Sequence, residues 1–208
     1  MAKHMDQLTG LADHSALVAD LKQSIAAEDG VALAVLDLDF FMEINTHFGH
    51  DVGDQVLKTL ASVLKETAPE SSYRVSGDEF AVVMPGCSLE QAFLRAETIR
   101  FKVHEAYQGF QPSLGREVTV TIGVAQCPRD AKDDQSLMRV ADAALSSAKE
   151  AGRNLVALPP NEEMVMKSCY YSVTAVRKLK GLAERVKRKE SRLLREALDD
   201  LLRKYDQP

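Results

Sequence analysis

The spacing of apolar residues along the chain predicts alternating helices and strands. Apolar positions recur every three or four residues in four segments, which is typical of amphipathic helices. Short β-branched apolar runs lie between them and predict strands, the clearest at Val31 to Leu36. The predicted helices cover residues 15–27, 51–66, 89–107 and 134–151. The predicted strands cover residues 31–39, 118–125 and 154–158, with a hairpin over residues 71–84.

The order of these elements, αβαββαβαβ, favours an α/β sandwich with a mixed central sheet. Pro159 and Pro160 follow the last strand. Because proline neither continues a helix nor donates a ladder hydrogen bond, the pair predicts a domain boundary. The expected domains are therefore residues 1–160 and residues 161–208.

The second domain is predicted to be a small β-α-α module. Residues 164–172 predict a short strand, and residues 175–186 and 190–205 predict two helices with apolar stripes. About 45 residues with so few core positions do not form a stable monomer. Two copies that share a sheet and four helices would be stable, so a homodimer is expected.

Composition narrows the class of protein. The chain has 208 residues, of which 45% are hydrophobic, which favours a packed core and excludes wholesale disorder. No apolar run approaches the ~20 residues that cross a bilayer, and no secretion signal is present at the start. A cytoplasmic protein with no membrane partner is expected. The three cysteines are widely spaced and match no metal site, which indicates reduced thiols.

The net charge of −5 is unevenly distributed. Residues 1–161 hold 14 Lys and Arg against 23 Asp and Glu, whereas residues 162–208 hold 12 against 8. A basic module attached to an acidic body indicates two modules with different partners. The alternative is a basic helix face that is simply solvated.

Acidic residues end two of the predicted strands. Asp37 and Asp39 end the first, and their spacing places both side chains on one face. Asp78 and Glu79 lie in the hairpin turn after Gly77, where the missing Cβ lets a backbone approach a nucleotide. If the strands are neighbours, Asp37 and a turn carboxylate can share two Mg²⁺ ions, an arrangement that suits chemistry on a nucleoside triphosphate. The alternative is a solvated acidic turn.

A polar loop with glycines is predicted over residues 45–54, where the next helix begins. The Asp54 carboxylate can accept hydrogen bonds from guanine N1–H and N2–H₂, and the Asn45 amide can add to the same edge. Adenine lacks that donor pair. The alternative is helix capping by Asp51 or Asp54.

Several segments occur together in an order that resembles the GGDEF diguanylate cyclase family. The resemblance covers about residues 6–158. It rests on Asp6–Leu11, Asp37–Phe41, Ile44–Asn45, Phe48–Asp54, Ser76–Phe80, Thr121–Ala125 and Ala148–Asn154. It implies a palm-like fold related to adenylyl cyclases and polymerases. It also implies condensation of two GTP into cyclic di-GMP, with one GTP held by each protomer of an antiparallel dimer.

The same resemblance implies roles for individual positions. The metal, Mg²⁺ or Mn²⁺, would be bound by Asp37, the Leu38 carbonyl, Asp78 and Glu79. Asp78 and Glu79 would also be the catalytic acids. The substrate would be bound by Phe40, Phe41, Asn45, His50, Asp54, Ser76, Gly77, Lys149 and Arg153. For Lys149 and Arg153 the alternative is a basic helix end that complements the helix dipole.

The chain departs from the family pattern at several positions. Met42, Thr46 and Ser146 replace a lysine, an acid and a tyrosine that are usual in the family. The acids expected at the metal are all present, so an active enzyme is expected. Thr67–Glu70 occupies the place of the family's inhibitory Arg-x-x-Asp motif. Because no arginine is present there, we expect no feedback inhibition through that site.

Residues 164–205 resemble the ribbon-helix-helix family, chiefly through Leu182–Leu198. Proteins of that family are obligate dimers whose paired strands enter the DNA major groove. The candidate DNA contacts are Lys167, Tyr170, Lys187, Arg188 and Lys189. The face of the strand that points outward is left open. The alternative is a dimerisation module that does not bind DNA.

The sequence thus predicts a metal-dependent diguanylate cyclase that dimerises through residues 161–208 and has double-stranded DNA as a candidate partner. The alternative function is a non-catalytic sensor of GTP or cyclic di-GMP that regulates a DNA-binding dimer. Turnover of GTP distinguishes the two.

Overall fold

The structure is a computed structural model that describes residues 4–27, 30–69, 71–108, 117–159, 171–186 and 190–205. The chain divides into two compact units, residues 1–161 and residues 162–208. The helices of the first unit are α1 (His14–Ala26), α2 (Phe41–Phe48), α3 (His50–Thr67), α4 (Leu89–Gln108) and α5 (Asp134–Glu150). Its strands are β1 (Val31–Leu38), β2 (Ser72–Ser76), β3 (Glu79–Pro85), β4 (Val120–Cys127) and β5 (Val156–Ala157).

The five strands form one mixed sheet in the order β2-β3-β1-β4-β5. The β4–β5 pair is parallel, and the other three pairs are antiparallel. Every residue of the central strand β1 is buried, because helices cover both faces of the sheet. Odd-numbered apolar residues of β1 pack with α1 and α5, and even-numbered ones pack with α3 and α4. The predicted α/β sandwich is confirmed.

Two local features fix the position of α5, which later supplies site residues. Asp133 caps the helix by accepting a 2.7 Å hydrogen bond from Ser136 N, and Ser136 completes a capping box. On β4, Gly123 lies directly against the backbone of Ala141 and Leu145. A Cβ at Gly123 would overlap that backbone, so glycine allows α5 to lie close to the sheet.

The predicted loop over residues 45–54 is wrong. Asn45 lies in α2, and Gly49 alone separates α2 from α3. Gly49 has φ 85°, a left-handed conformation that glycine adopts without steric cost and that ends one helix and begins the next. All four predicted helices of this unit and the predicted hairpin are confirmed, with ends shifted by one or two residues. Strand β4 lies two residues later than predicted, and β5 is shorter.

The second unit contains α6 (Val173–Val186) and α7 (Glu190–Tyr205), which contact each other. Both helices were predicted, and both are confirmed. The predicted strand over residues 164–172 lies outside the described residues except for its last two, which are irregular. Of the helices described, none has the length and apolar character to cross a membrane.

Candidate active site

Asp37 lies near the C-terminal end of the central strand β1, next to the C-terminal end of α5. Asp37 is only 8% exposed, and its Oδ2 lies 2.7 Å from the Nζ of Lys149. Lys149 is in the last turn of α5, so the close approach of α5 to the sheet brings the two groups together. The sequence separates them by 112 residues, and neither residue type by itself predicts the ion pair.

The hairpin turn brings its two acids to the same place. Glu79 is the first residue of β3 and lies directly opposite Asp37, so the two side chains share one face of the sheet. The carbonyl of Asp78 accepts a 3.3 Å hydrogen bond from Leu38 N, which holds the turn to the end of β1. Asp78 and Glu79 are half-buried. The neighbouring-strand condition on which the predicted acidic centre depended is therefore met.

Burial and neighbouring charges shift the acidity of Asp37. Burial raises the pKa of the Asp37 carboxyl, and the charges of Asp78 and Glu79 add to the rise. The hydrogen bond and charge of Lys149 oppose it without cancelling it. A bound cation would be favoured here, because its positive charge offsets both the burial of the Asp37 carboxylate and the repulsion from the two neighbouring acids.

The turn itself is held by groups outside the acidic centre. Arg74 on β2 donates to the Gly77 carbonyl through Nε and NH2, at 3.1 and 2.7 Å. Its NH1 lies 3.0 Å from Asp6 Oδ1, and Asp6 also accepts from Thr9. Ser76 Oγ donates to Glu79 Oε2 at 2.9 Å, so Ser76 in the turn orients one of the acids. Ser76 and Gly77 are exposed.

Helices α2 and α3 bring together the residues expected to bind guanine. The Asn45 side chain on α2 lies directly against Gly53 on α3, where a Cβ would overlap the Asn45 Oδ1. Gly53 is adjacent to Asp54 in the first turns of α3, and Asp54 is half-buried. His50 is the first residue of α3 and is exposed. Asn45 and Asp54 therefore occupy one local region, although Asn45 lies on a helix and not in a loop.

The two phenylalanines expected near the substrate have different environments. Phe41 begins α2 and packs against the core, whereas Phe40 is 39% exposed and adopts a left-handed backbone with φ 60°. The guanidinium carbon of Arg153 lies 4.8 Å from the centre of the Phe40 ring, a cation–π contact. This contact places Arg153 near the acidic centre, since Phe40 follows β1 and Arg153 follows α5.

Four residues near the site, Asp39, Thr119, Thr121 and Arg100, were not among the predicted site residues. Asp39 is 2% exposed and accepts hydrogen bonds from Thr119 and Thr121. Arg100 on α4 donates to the Asn154 side chain at 2.9 Å. The alternation of Thr119 and Thr121 in an apolar strand was a detectable sequence sign of a buried polar partner. Nothing in the sequence indicated Arg100.

The three residues that replace usual family residues, Met42, Thr46 and Ser146, are exposed on α2 and α5. Met42 is 80% exposed on α2, and Thr46 donates to its carbonyl. Ser146 is exposed on α5. The candidate DNA contacts lie outside the described residues; they are Lys167, Tyr170, Lys187, Arg188 and Lys189.

The oxygen atoms available for a metal are those of Asp37, Asp78 and Glu79 and the Leu38 carbonyl. Oxygen ligands are those that Mg²⁺ and Mn²⁺ prefer. In the part of the chain that the structure describes, no three acids, histidines or cysteines are already gathered as a complete metal site. The donor set fits a cation that substrate phosphates and water would help to coordinate, as Mg²⁺ sites commonly do.

Comparison with known proteins agrees with this geometry. The family model described as diguanylate cyclase, GGDEF domain, matches residues 3–155. A ribbon-helix-helix domain model matches residues 174–206. The response regulator PleD of Caulobacter vibrioides is 37% identical over 160 residues, covering 73% of this chain and 35% of PleD. YhcK of Bacillus subtilis is 40% identical over 134 residues, covering 64% of this chain and 37% of YhcK. The chain thus matches little more than a third of the length of these relatives.

Solved structures show the same fold. The coiled coil and GGDEF domain of DgcB from Caulobacter crescentus, in complex with c-di-GMP, superposes with a TM-score of 0.66. It is 32% identical, and the match covers 74% of this chain and 84% of that one. The active GGEEF domain of a diguanylate cyclase from Vibrio cholerae gives a TM-score of 0.65 at 29% identity, covering 73% and 99%. On its acidic hairpin, its fold and these matches, the chain belongs to the GGDEF family of diguanylate cyclases.

Proposed function

We propose that this chain condenses two GTP molecules into cyclic di-GMP and two pyrophosphates. Each 3′-hydroxyl attacks the α-phosphate of the other GTP; the hydroxyl proton passes to a base, and the bond to pyrophosphate breaks. The proposal rests above all on the pairing of Asp37 with Glu79 across β1 and β3, next to Asp78 and Lys149.

The hairpin turn and the end of α5 are assigned separate roles in proton transfer, cation binding and triphosphate binding. One of the two turn acids, Asp78 or Glu79, accepts the hydroxyl proton, and the other contributes to cation binding. Ser76 donates to Glu79 and fixes its orientation. Lys149, which contacts Asp37, and Arg153, which contacts the Phe40 ring, are assigned to bind the triphosphate as a pair of positive charges.

A divalent cation, Mg²⁺ or Mn²⁺, would be held by Asp37, the Leu38 carbonyl and the turn acids Asp78 and Glu79. When bound, it lowers the pKa of the attacking hydroxyl and neutralises charge on the leaving pyrophosphate. The raised pKa of Asp37 supports this assignment, because a bound cation would offset the cost of burying its charge next to two other acids.

Guanine recognition is assigned to Asn45 and Asp54, with His50 next to them. The approach of α2 to α3 at Gly53 supports the pair, since it places an amide and a carboxylate in one region. A carboxylate that accepts from guanine N1–H and N2–H₂ rejects adenine, which leaves it unpaired. GTP is therefore the expected substrate at both half-sites.

The second unit is assigned as the dimerisation module. Its helices expose apolar side chains that a partner copy would cover, among them Val176, Val186, Leu194, Leu198 and Leu201. A dimer formed there would raise the effective concentration of the two half-sites, each holding one GTP. Double-stranded DNA is a further candidate partner, through Lys167, Tyr170, Lys187, Arg188 and Lys189.

A second candidate function is a non-catalytic sensor of GTP or cyclic di-GMP that regulates the C-terminal dimer. The exposed Met42 favours it, because the family usually has a lysine at this position. The ion pair between Lys149 and Asp37 also favours it, since it satisfies an acid that would otherwise be free for a cation.

The deciding experiment is incubation of the purified protein with GTP and Mg²⁺, followed by chromatography for cyclic di-GMP. We expect product from the wild-type chain and a loss of at least about 100-fold in Asp78→Ala. Glu105→Ala removes an exposed acid on α4 and should match the wild type. Absence of product from the wild type would contradict the cyclase, and titration with GTP and with cyclic di-GMP would then test the sensor.

The same assay tests feedback control. Thr67 stands where the inhibitory motif of the family has its arginine. Cyclic di-GMP added at the start should therefore leave the initial rate unchanged at concentrations well above those of the enzyme.

A further inference from the structure

Asp39 is a buried carboxylate that is fully engaged by hydrogen-bond donors. Its Oδ1 accepts from Thr121 Oγ1 at 2.6 Å, and its Oδ2 accepts from Thr119 Oγ1 at 2.7 Å. Oδ2 also accepts from the backbone N–H of Asn154 at 3.2 Å. At 2% exposure, a carboxylate needs such donors to offset the loss of water.

The bond to Asn154 reaches the segment that follows α5. Arg153 and Asn154 have φ values of 65° and 49°, so two successive residues with side chains are left-handed. That conformation costs free energy and persists only where surrounding contacts hold it. Three hydrogen-bond partners hold Asn154 in this conformation. Its N–H donates to Asp39 and to Thr121 Oγ1, at 3.2 and 3.0 Å, and Arg100 donates to its side chain.

Arg153 depends on this arrangement for its position. Its guanidinium lies 4.8 Å from the Phe40 ring, and its NH1 lies 3.5 Å from the Lys149 carbonyl. Phe40 is the residue next to Asp39 and is itself left-handed. Asp39 therefore fixes both partners of the cation–π contact: Phe40 through the chain, and Arg153 through the Asn154 amide.

We propose that Asp39 is a positioning residue for triphosphate binding, which holds the Arg153–Asn154 segment so that Arg153 lies over the Phe40 ring and next to Lys149. This inference rests on the proposed function, because Arg153 is assigned there as a triphosphate contact. It adds a role for an acid that does not itself reach the substrate. Thr119 and Thr121 share the role, since they orient the carboxylate.

The test is a double-mutant cycle on nucleotide affinity, measured by calorimetry with Mg²⁺ and the α,β-methylene analogue of GTP, which cannot release pyrophosphate. Asp39→Asn keeps the shape of the side chain but presents a donor where Thr119 or Asn154 donates. We expect it to weaken binding about tenfold, and we expect Arg153→Ala to do the same. Because Asp39 acts through Arg153, the double variant should bind no more weakly than Arg153→Ala.

Two further variants provide a second test of the Asp39 contacts and a matched control. Thr121→Val removes one hydroxyl without changing shape and should weaken binding in the same direction, which covers the case that Asp39→Asn does not fold. Asp133→Asn is the matched control, since Asp133 also accepts from a backbone N–H and a hydroxyl, at the opposite end of α5. Its affinity should equal that of the wild type.

The outcomes separate this inference from the proposed function. Additive losses in the cycle, or wild-type affinity in folded Asp39→Asn, would overturn the positioning role. A wild-type chain that binds the analogue but makes no cyclic di-GMP would overturn the cyclase alone, and the cycle would still decide the role of Asp39. A wild-type chain that does not bind the analogue would overturn both.

Discussion

At the scale of single residues, burial, hydrogen bonds and neighbouring charges shift the pKa of each acid. Asp37 is buried next to two more acids, so its ionised form is disfavoured and its pKa is raised. Asp6 is the opposite case: burial acts to raise its pKa, but hydrogen bonds from Thr9 and Arg74 outweigh burial and lower it. Two aspartates of one chain thus have opposite effects on stability.

We predict that Asp37→Asn raises the melting temperature at pH 7 in metal-free buffer. The pKa of Asp37 is higher in the folded chain than its ordinary 3.8, so wild-type stability is lost as pH rises from 3.8 through the raised value. Asparagine has no such loss. Thermal unfolding at pH 7 and near pH 4 should show an advantage of the order of a few degrees that narrows in acid.

Asp6→Asn provides the matched comparison with the opposite sign. The lowered pKa of Asp6 contributes stability above its ordinary 3.8, and that contribution is lost as pH falls through the lowered value. This variant should melt below the wild type at pH 7, with a deficit that narrows in acid. If both variants shift the melting temperature in the same direction at pH 7, the assigned electrostatics are wrong.

At the scale of elements, the approach of α2 to α3 shapes the predicted guanine site. Only Gly49 joins the two helices, and Gly53 leaves the space that the Asn45 side chain fills. Helix propensity alone would favour alanine over glycine at a helical position by about 1 kcal/mol. The presence of glycine at position 53 is therefore explained by the contact with Asn45 and not by local preference.

We predict that Gly53→Ala weakens GTP binding about tenfold while the protein stays folded, because the new Cβ displaces the Asn45 side chain. Calorimetric titration with the unreactive GTP analogue measures the change. Gly181→Ala is the control, since Gly181 lies in α6 with open space around its Cα. Unchanged affinity in Gly53→Ala would show that Asn45 does not take part in guanine recognition.

At the scale of the whole molecule, two units have different compositions and different expected tasks. The first is acidic and holds the candidate active-site residues, and the second is basic and exposes apolar helix faces. A cyclase that holds one GTP in each protomer is limited by the encounter of two half-sites. A C-terminal dimer would remove that limit by keeping the half-sites at high effective concentration.

We predict that deletion of residues 162–208 lowers specific activity at nanomolar protein by about tenfold or more, and that the deficit shrinks at high protein concentration. Assays of cyclic di-GMP formation over a dilution series measure the effect. In the full chain, Leu198→Asp should behave like the deletion, because Leu198 is 54% exposed on α7. Leu94→Asp, at an exposed leucine of α4, is the control. Activity independent of dilution in the deletion variant would contradict the role of the second unit.

Much of the fold was predictable because local patterns determine it. The β-branched run of β1 and the periodic apolar faces of α3 and α5 specify their elements within a residue or two. Helix α2 was not predicted, because its eight residues have a mixed polar sequence and depend on packing against α3. The positions of the acids were also readable, since turn residues and strand ends mark them.

The sequence by itself determined the order of helices and strands apart from α2, the acids at the ends of β1 and the hairpin, and the amphipathic C-terminal helices, because each depends on neighbours a few residues apart. The tertiary structure alone decided which groups meet. Lys149 reaches Asp37, and Asp39 binds donors 80, 82 and 115 residues away. Such contacts depend on how β4 pairs with β1 and on how α5 packs on the sheet, and no local sequence pattern encodes either.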